Sequence, residues 1–324
     1  MPGSPFALTV DADDAVVTAG RGRVVDLDTA RGHERWHADV SDATFYEPAL
    51  DDDTVLLSAG DRFVALERSS GAFRWEVPVG EQAGGVALAR AGSDPVALVT
   101  TESGLVAALD GRGGQTRWTT RVAGQVTAAP AVDPTTGTAA LTWSGGEPRL
   151  RVLDVATGAV RWESPIQSGS TAPVIVGGVV VLGEGDGHFE ARVVARDVAS
   201  GAERWSVPVP APFESSLTPG ADGDDVVVAD HFGTVTLVDA RAGTPRWQTA
   251  LGEPVLRTRV LLSRSSVVVA THGGAVVVLE RGSGRVARRG DPGGFPVGIG
   301  TSGDRLVVAL RLTEPERVEA EALP

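Results

Sequence analysis

Cysteine is absent from the 324 residues, and with it disulfides, thiolate metal ligands and a cysteine nucleophile. Lysine and asparagine are absent too, so all 29 basic residues are arginine and no N-glycosylation acceptor exists. Both missing types have A-rich codons, which reads as the bias of a GC-rich, actinobacterial genome. Aromatic residues make up only 5% of the chain, with a single Tyr. Positive charge is in deficit: 42 acidic residues give a net charge of −13. Such a chain repels phosphate backbones and anionic lipid, so neither a nucleic-acid partner nor direct membrane insertion is expected. The most apolar stretch, 172–182, is short and contains Gly177-Gly178, which reads as a hairpin and not a membrane span. The first ten residues show no basic segment followed by an apolar one. The expectation is therefore a cytoplasmic protein, or a cell-envelope protein if an anchor precedes Met1.

What the chain does have is a repeat. Val25-Asp-Leu-Asp-Thr-Ala-Arg-Gly-His-Glu-Arg-Trp36 returns as Ala65-Leu-Glu-Arg-Ser-Ser-Gly-Ala-Phe-Arg-Trp75 and again at 108–118, 152–162, 195–205 and 237–247. A seventh copy, 278–288, ends in Arg288 where the others have Trp. The steps are 39, 43, 44, 43, 42 and 41 residues, a mean period of 42. Each copy consists of short β-branched runs broken by Gly, Asp, Ser and Pro, with no helical period, which means antiparallel strands. Four strands, A to D, per 42 residues is the arithmetic of a β-propeller blade. The recurring acid (Asp28, Glu67, Asp110, Asp154, Asp197, Asp239) suits acceptance of backbone N–H groups across a turn. The Gly four residues later (Gly32, Gly71, Gly114, Gly158, Gly201, Gly243) suits a positive φ. The Trp (Trp36, Trp75, Trp118, Trp162, Trp205, Trp247) offers a flat surface and an N–H to the next blade. Glu280 and Gly284 continue the acid and Gly series in the seventh copy.

The pattern Ala/Val-Leu-Asp-x-x-x-Gly-x-x-x-Trp at this period resembles the PQQ-like, quinoprotein-type β-propeller repeat, BamB-like in the broad sense. Ala172-Pro-Val-Ile-Val-Gly-Gly178 resembles the stretch that precedes it. After the seventh copy, 296–299, 304–310 and 317–323 fit three further strands. The expected fold is an all-β single domain over 1–324: eight four-stranded blades with the last incomplete, or alternatively seven blades plus a C-terminal hairpin. Within the resembling family, the quinoprotein dehydrogenases use an adjacent Cys pair and an Asn among the Ca²⁺ ligands. Neither residue type occurs here, so no PQQ and no other cofactor is expected.

Blade register sorts the remaining residues by face. The A–B turns carry acidic clusters such as Asp51-Asp52-Asp53, which read as solvated turns and match no dedicated Ca²⁺ loop. The D–A connections and B–C turns share the opposite face, the usual binding face of the architecture. There lie Phe45, Tyr46, Glu47, Trp143, His188, Phe213, Glu214, His231, Arg257 and His272, the candidate partner-binding residues. Trp143, the one Trp outside the repeat, reads as a surface anchor or as a cover for the blade edge. The His residues on this face raise a metal site, but hairpin tips sit far from the axis, and surface turns explain them better. No nucleophile elbow, P-loop or zincin spacing occurs. The reading favours a non-enzymatic scaffold that binds a protein or peptide over the alternative, an enzyme or small-ligand propeller with an axial pocket.

Overall fold

The computed structural model describes residues 5–11, 13–42, 46–126, 128–167, 171–185, 191–209, 218–219, 225–230, 232–255, 260–302, 305–311 and 317–322. They form antiparallel sheets throughout, and the one helical element among them is a single 3₁₀ turn at Gly20–Gly22. No helix among them is long and apolar enough to cross a membrane.

Each blade is a meander in which neighbours in sequence pair in space. Blade 1 has strands A to D at Pro5–Asp11, Asp14–Ala19, Arg23–Asp28 and Glu34–Asp39. The B, C and D strands of the next six blades are Thr54–Ala59, Arg62–Glu67 and Phe73–Pro78 in blade 2, then Asp94–Thr101, Leu105–Asp110 and Thr116–Arg121 in blade 3. Blade 4 has Thr138–Trp143, Arg149–Asp154 and Val160–Pro165, and blade 5 has Val179–Gly185, Ala191–Asp197 and Glu203–Val209. Blade 6 has Asp225–Ala229, Thr234–Asp239 and Pro245–Ala250, and blade 7 has Ser266–Ala270, Val276–Glu280 and Val286–Gly290. Their A strands range from the two residues Ala49–Leu50 to the nine of Ala83–Ala91.

Seven four-stranded blades are thus complete. The C-terminal unit is a hairpin, Phe295–Ser302 with Arg305–Arg311, extended by a third strand, Arg317–Ala322. Its place is fixed by packing. Leu306, Val308 and Ile299 pack with Val268 and Val278 of blade 7, whereas Val307 and Ala309 pack with Leu8, Ala15 and Val17 of blade 1. Gly298 and Gly300 exist because strand A of blade 1 comes so close: a Cβ on them would lie 2.7 Å from Leu8 Cβ and 2.2 Å from a methyl of Val10. The unit therefore closes a ring between the last blade and the first.

The strand order follows from burial. B strands read Thr-Val-Leu-Leu-Ser-Ala or Asp-Val-Val-Val-Ala and are buried on both faces, since a sheet lies on either side. D strands alternate: Trp36 and Ala38 are buried while Arg35, His37 and Asp39 are exposed, as an outer strand with one packed face requires. The apolar clusters lie in the joints between adjacent sheets, so the core is a ring of joints and not one central mass.

The repeated residues make each joint. The indole Nε1–H of Trp36, Trp75, Trp118, Trp162, Trp205 and Trp247 donates to a backbone carbonyl of the next blade: Arg68, Gly111, Val155, Val198, Ala240 and Arg281, at 2.6–3.0 Å. Each acceptor directly follows the acid of its blade. The ring of the Trp lies on the Gly of that same next blade, at φ near +70°. A Cβ on Gly71 would sit 2.4 Å from Trp36, and one on Gly114 2.9 Å from Trp75. The Gly is thus required twice, by the turn and by the indole.

The acid works within its own blade. Oδ1 of Asp110, Asp197 and Asp239 accepts backbone N–H bonds from the turn, and Oδ2 takes the Arg that precedes the Trp: Arg117, Arg204 and Arg246.

Candidate functional site

The first question is whether the D–A connections and B–C turns share a face, and backbone bonds answer it. Gln82 of the connection into blade 3 accepts from the Glu102 N–H of the B–C turn at 3.1 Å. Gln125 and Ser144 exchange both bonds in blade 4, at 2.7 and 2.9 Å. His272 N–H donates to Pro254 O at 2.9 Å in blade 7. These three connections are therefore pinned to the turn of the blade they enter, and this part of the face is a set of mutually held loops.

Side chains extend the same pairing. Tyr46, in the connection into blade 2, donates its Oη–H to Glu102 of blade 3 at 3.1 Å. Burial, and then the Glu102 carboxylate, push the phenol up to about 12, so it remains a donor at all ordinary pH. Glu81 accepts from Ser103 Oγ, from Thr101 Oγ1 at 3.1 Å and from Arg121 at 3.1 Å. The Ser103 bond foremost, with Thr101 and Arg121, holds this carboxyl below its usual range. Across the ring, Glu253 is paired with Arg289 of blade 7. The face thus presents carboxylates held in place, together with exposed Glu47 and His272.

Exposed apolar surface on this face comes from Phe232, 63% exposed in the B–C turn of blade 6, and Phe295, 44% exposed at the start of the C-terminal hairpin. The sequence reading passed over Phe232. The signal was its place two residues after Asp230, whose carboxylate caps the turn through the Phe232 and Thr234 N–H groups at 3.0 and 2.8 Å.

Of the ten sequence candidates, Tyr46, Glu47 and His272 lie on the face. Phe45, His188, Phe213, Glu214, His231 and Arg257 fall outside the described residues. Trp143 is a correction: it is no surface anchor. It is 4% exposed, ends strand B of blade 4, and packs with Val122 and Val126 in the joint between blades 3 and 4. The Arg151 guanidinium lies 5.1 Å from its ring centroid, and the indole N–H has no hydrogen-bond partner among the described residues. Strand register put this Trp at the end of a buried strand, and the Gly145-Gly146 beside it suggested a loop. Among the described residues no three His, Asp or Glu side chains gather as a metal site. A cleft of about 210 Å³ opens between blades 5 and 6, lined by Val193, Val209, Val228, Thr236, Pro245 and Gln248. It lies at a joint, not on the loop face.

The A–B turns correct another expectation. Asp14 and Asp225, each the first residue of a B strand, are not simply solvated. Arg68 bonds Asp14 at 2.9 Å, and Arg281 bonds Asp225 at 2.6 Å, each reaching back from the following blade. Among the described residues the same relation occurs at joints 1–2 and 6–7.

Comparison with known proteins agrees with this geometry. Residues 2–97, 61–218 and 190–309 match a family model described as outer membrane protein assembly factor BamB. The chain belongs to this PQQ-like β-propeller family. Among solved structures it is similar to BamB from Moraxella catarrhalis, at TM-score 0.72 and 18% identity over 94% of this chain and 92% of that one. Sqt1 from Saccharomyces cerevisiae superposes at TM-score 0.76 with 10% identity, over 99% and 96%. Quinohemoprotein alcohol dehydrogenase from Comamonas testosteroni gives TM-score 0.68 and 14% identity, over 95% and 70%. At these identities the likeness is one of fold. A curated relative, serine/threonine-protein kinase AfsK of Streptomyces coelicolor, is 31% identical over 266 residues, 76% of this chain. The match spans 31% of the kinase's own length.

Proposed function

We propose that this PQQ-like propeller is a non-enzymatic scaffold that binds a protein or peptide through the face built from its D–A connections and B–C turns. One observation carries the reading. Tyr46, Phe232 and Phe295 stand on the connection into blade 2, on blade 6 and on the C-terminal unit, Tyr46 held by its bond to Glu102, Phe232 on a turn closed by backbone bonds and Phe295 in a strand paired with Arg311. Aromatic side chains on a rigid frame lose little entropy when a partner covers them, which is the usual chemistry of interface anchors. The surrounding carboxylates, Glu47, Glu81, Glu102 and Glu253, and the net charge of −13 favour a partner with basic residues. Members of the family with quinone chemistry offer no template, because their Cys pair and Asn have no counterpart here. The kinase relative supports a role as the recognition module of a larger signalling protein as one setting for the same face.

A displayed peptide library selected on the immobilised chain tests this, with dissociation constants of the selected peptides measured by calorimetry. Combined Tyr46→Ala, Phe232→Ala and Phe295→Ala substitution is expected to weaken binding at least about tenfold, the loss of one good anchor. Asp52→Ala with Asp53→Ala, on the opposite face, is expected to leave it unchanged. The reverse pattern, or no peptide binding below about 100 µM, overturns the proposal.

A further inference from the structure

The cleft between blades 5 and 6 has its origin in the blade register. Thr236 stands three residues before the blade acid Asp239 and Gln248 nine after it, and the two face each other across the sheet. At the first of these positions blade 4 has Arg151, which lies over Trp143 in the joint between blades 3 and 4 and bonds Glu163 at 2.8 Å. At the second, blade 7 has Arg289, which reaches back to Leu251 O of blade 6 at 3.3 Å. A long side chain thus enters each of those joints. Blade 6 has two shorter ones, and the space before them stays open.

The cleft holds about 210 Å³. Apolar cavities of about 150 Å³ already admit a benzene ring. Its walls are Val193, Val207 and Val209 of blade 5 and Val228 and Val238 of blade 6. Pro208, Pro245 and Gln248 are exposed at its mouth, so it opens outward. Among the described residues no charged side chain lines it, and a charged occupant would lose its hydration without gaining a counter-ion. The polar groups are a matched pair. Gln248 Nε2 donates to Thr236 Oγ1 at 3.2 Å, which leaves the Thr236 hydroxyl proton to donate and Gln248 Oε1 to accept. Among the described residues neither has another partner. A hydroxyl group answers both, since it accepts one bond and donates one.

We propose that this cleft is a binding site for a neutral aromatic alcohol of one ring, a substituted phenol in the simplest case. The ring lies between the valines of the two blades, and its hydroxyl sits between Thr236 and Gln248. Burial of the ring takes apolar wall of both blades out of water, so the ligand favours the closed joint and raises the melting temperature. The site is separate from the loop face and takes no part in the peptide binding proposed there.

The probe is 4-ethylphenol, titrated into the intact chain labelled at its valine methyl groups and followed by NMR. Saturable shifts are expected at Val193, Val207, Val209, Val228 and Val238, with a dissociation constant below about 1 mM. 4-Ethylanisole, which cannot donate, should bind at least about threefold more weakly, and the charged 4-ethylbenzoate should not bind. Thr236→Val removes the hydroxyl at nearly constant shape and should weaken 4-ethylphenol at least about threefold. Gln248→Arg, at an exposed position, gives blade 6 the side chain of blade 7 and should abolish binding. Tyr46→Ala, Phe232→Ala and Phe295→Ala together should leave it unchanged, which separates this site from the loop face. Melting temperatures of the variants are recorded alongside, and if one does not fold, the ligand series and the shift map decide. A dissociation constant above about 1 mM, shifts centred on other valines, equal affinity for the benzoate, or a folded Gln248→Arg chain that binds as before overturns the site.

Discussion

Single residues show how far a position can depart from its repeat. Asp26 faces Trp36 across the sheet, where the other blades have Ala, Val or Leu. It is 2% exposed and one carboxylate oxygen has no hydrogen-bond partner among the described residues. Burial, opposed in part by Arg68, pushes its pKa up to about 6. A carboxyl raised in the fold favours folding only while protonated, so its contribution is lost as pH climbs from about 4 through 6. Asp26→Val is therefore expected to raise stability at pH 7 by about 1–2 kcal/mol, the cost of a poorly solvated carboxylate, and by less at pH 5. Denaturant melts at both pH values check this, and a variant less stable than the parent at pH 7 refutes it. Asp26 was written in the sequence as a departure from an apolar position, but only its burial against Arg68 shows the consequence. Trp143 teaches the converse: beside two glycines it reads as a surface anchor or a cover for the blade edge, while strand pairing turns it into a joint.

At the scale of the element, the blade motif was fully legible because six copies repeat it with the same acid, Gly and Trp. Its two-blade logic was not, since nothing in one repeat says that its Gly lies under the Trp of the repeat before. Gly71→Ala and Gly32→Ala make that distinction measurable. Both pay for alanine at positive φ, about 1 kcal/mol, but only Gly71→Ala drives a Cβ to 2.4 Å from an indole. It should be the more destabilising by at least about 1 kcal/mol, an overpacking cost, in parallel chemical melts. Equal losses mean that the indole does not press on the turn. Trp75→Phe, which keeps the ring and deletes the bond to Gly111 O, should cost about 1–2 kcal/mol. The loops were least legible: they carry no period, so Phe232 was missed, and Tyr46 was placed on its face without its partner Glu102.

The whole molecule is a ring whose stability is shared among joints, and its charge behaves accordingly. Bonds from Arg117 and Arg204 foremost hold Asp110 and Asp197 below the usual carboxylate range, and the Ala242 and Arg241 backbone N–H groups do so for Asp239. Depressed carboxyls favour folding above their unfolded pKa, so that stability is lost as pH falls below about 4. Melting temperature should not fall from pH 7 to 5, where protonation of Asp26 adds a small gain, and should drop steeply below 4; a drop already complete at pH 5 contradicts these pairings. The closed ring depends on the C-terminal unit sitting beside blade 1. Thr29 Oγ1 and Ser302 Oγ touch there at 2.7 Å across 273 residues of sequence. Because the chain has no cysteine, Thr29→Cys with Ser302→Cys gives an unambiguous probe of that closure. Ring closure predicts an intramolecular disulfide on mild oxidation, seen as a mobility shift reversed by reductant and a raised melting temperature. Two thiols that stay free in the folded, oxidised protein would contradict it.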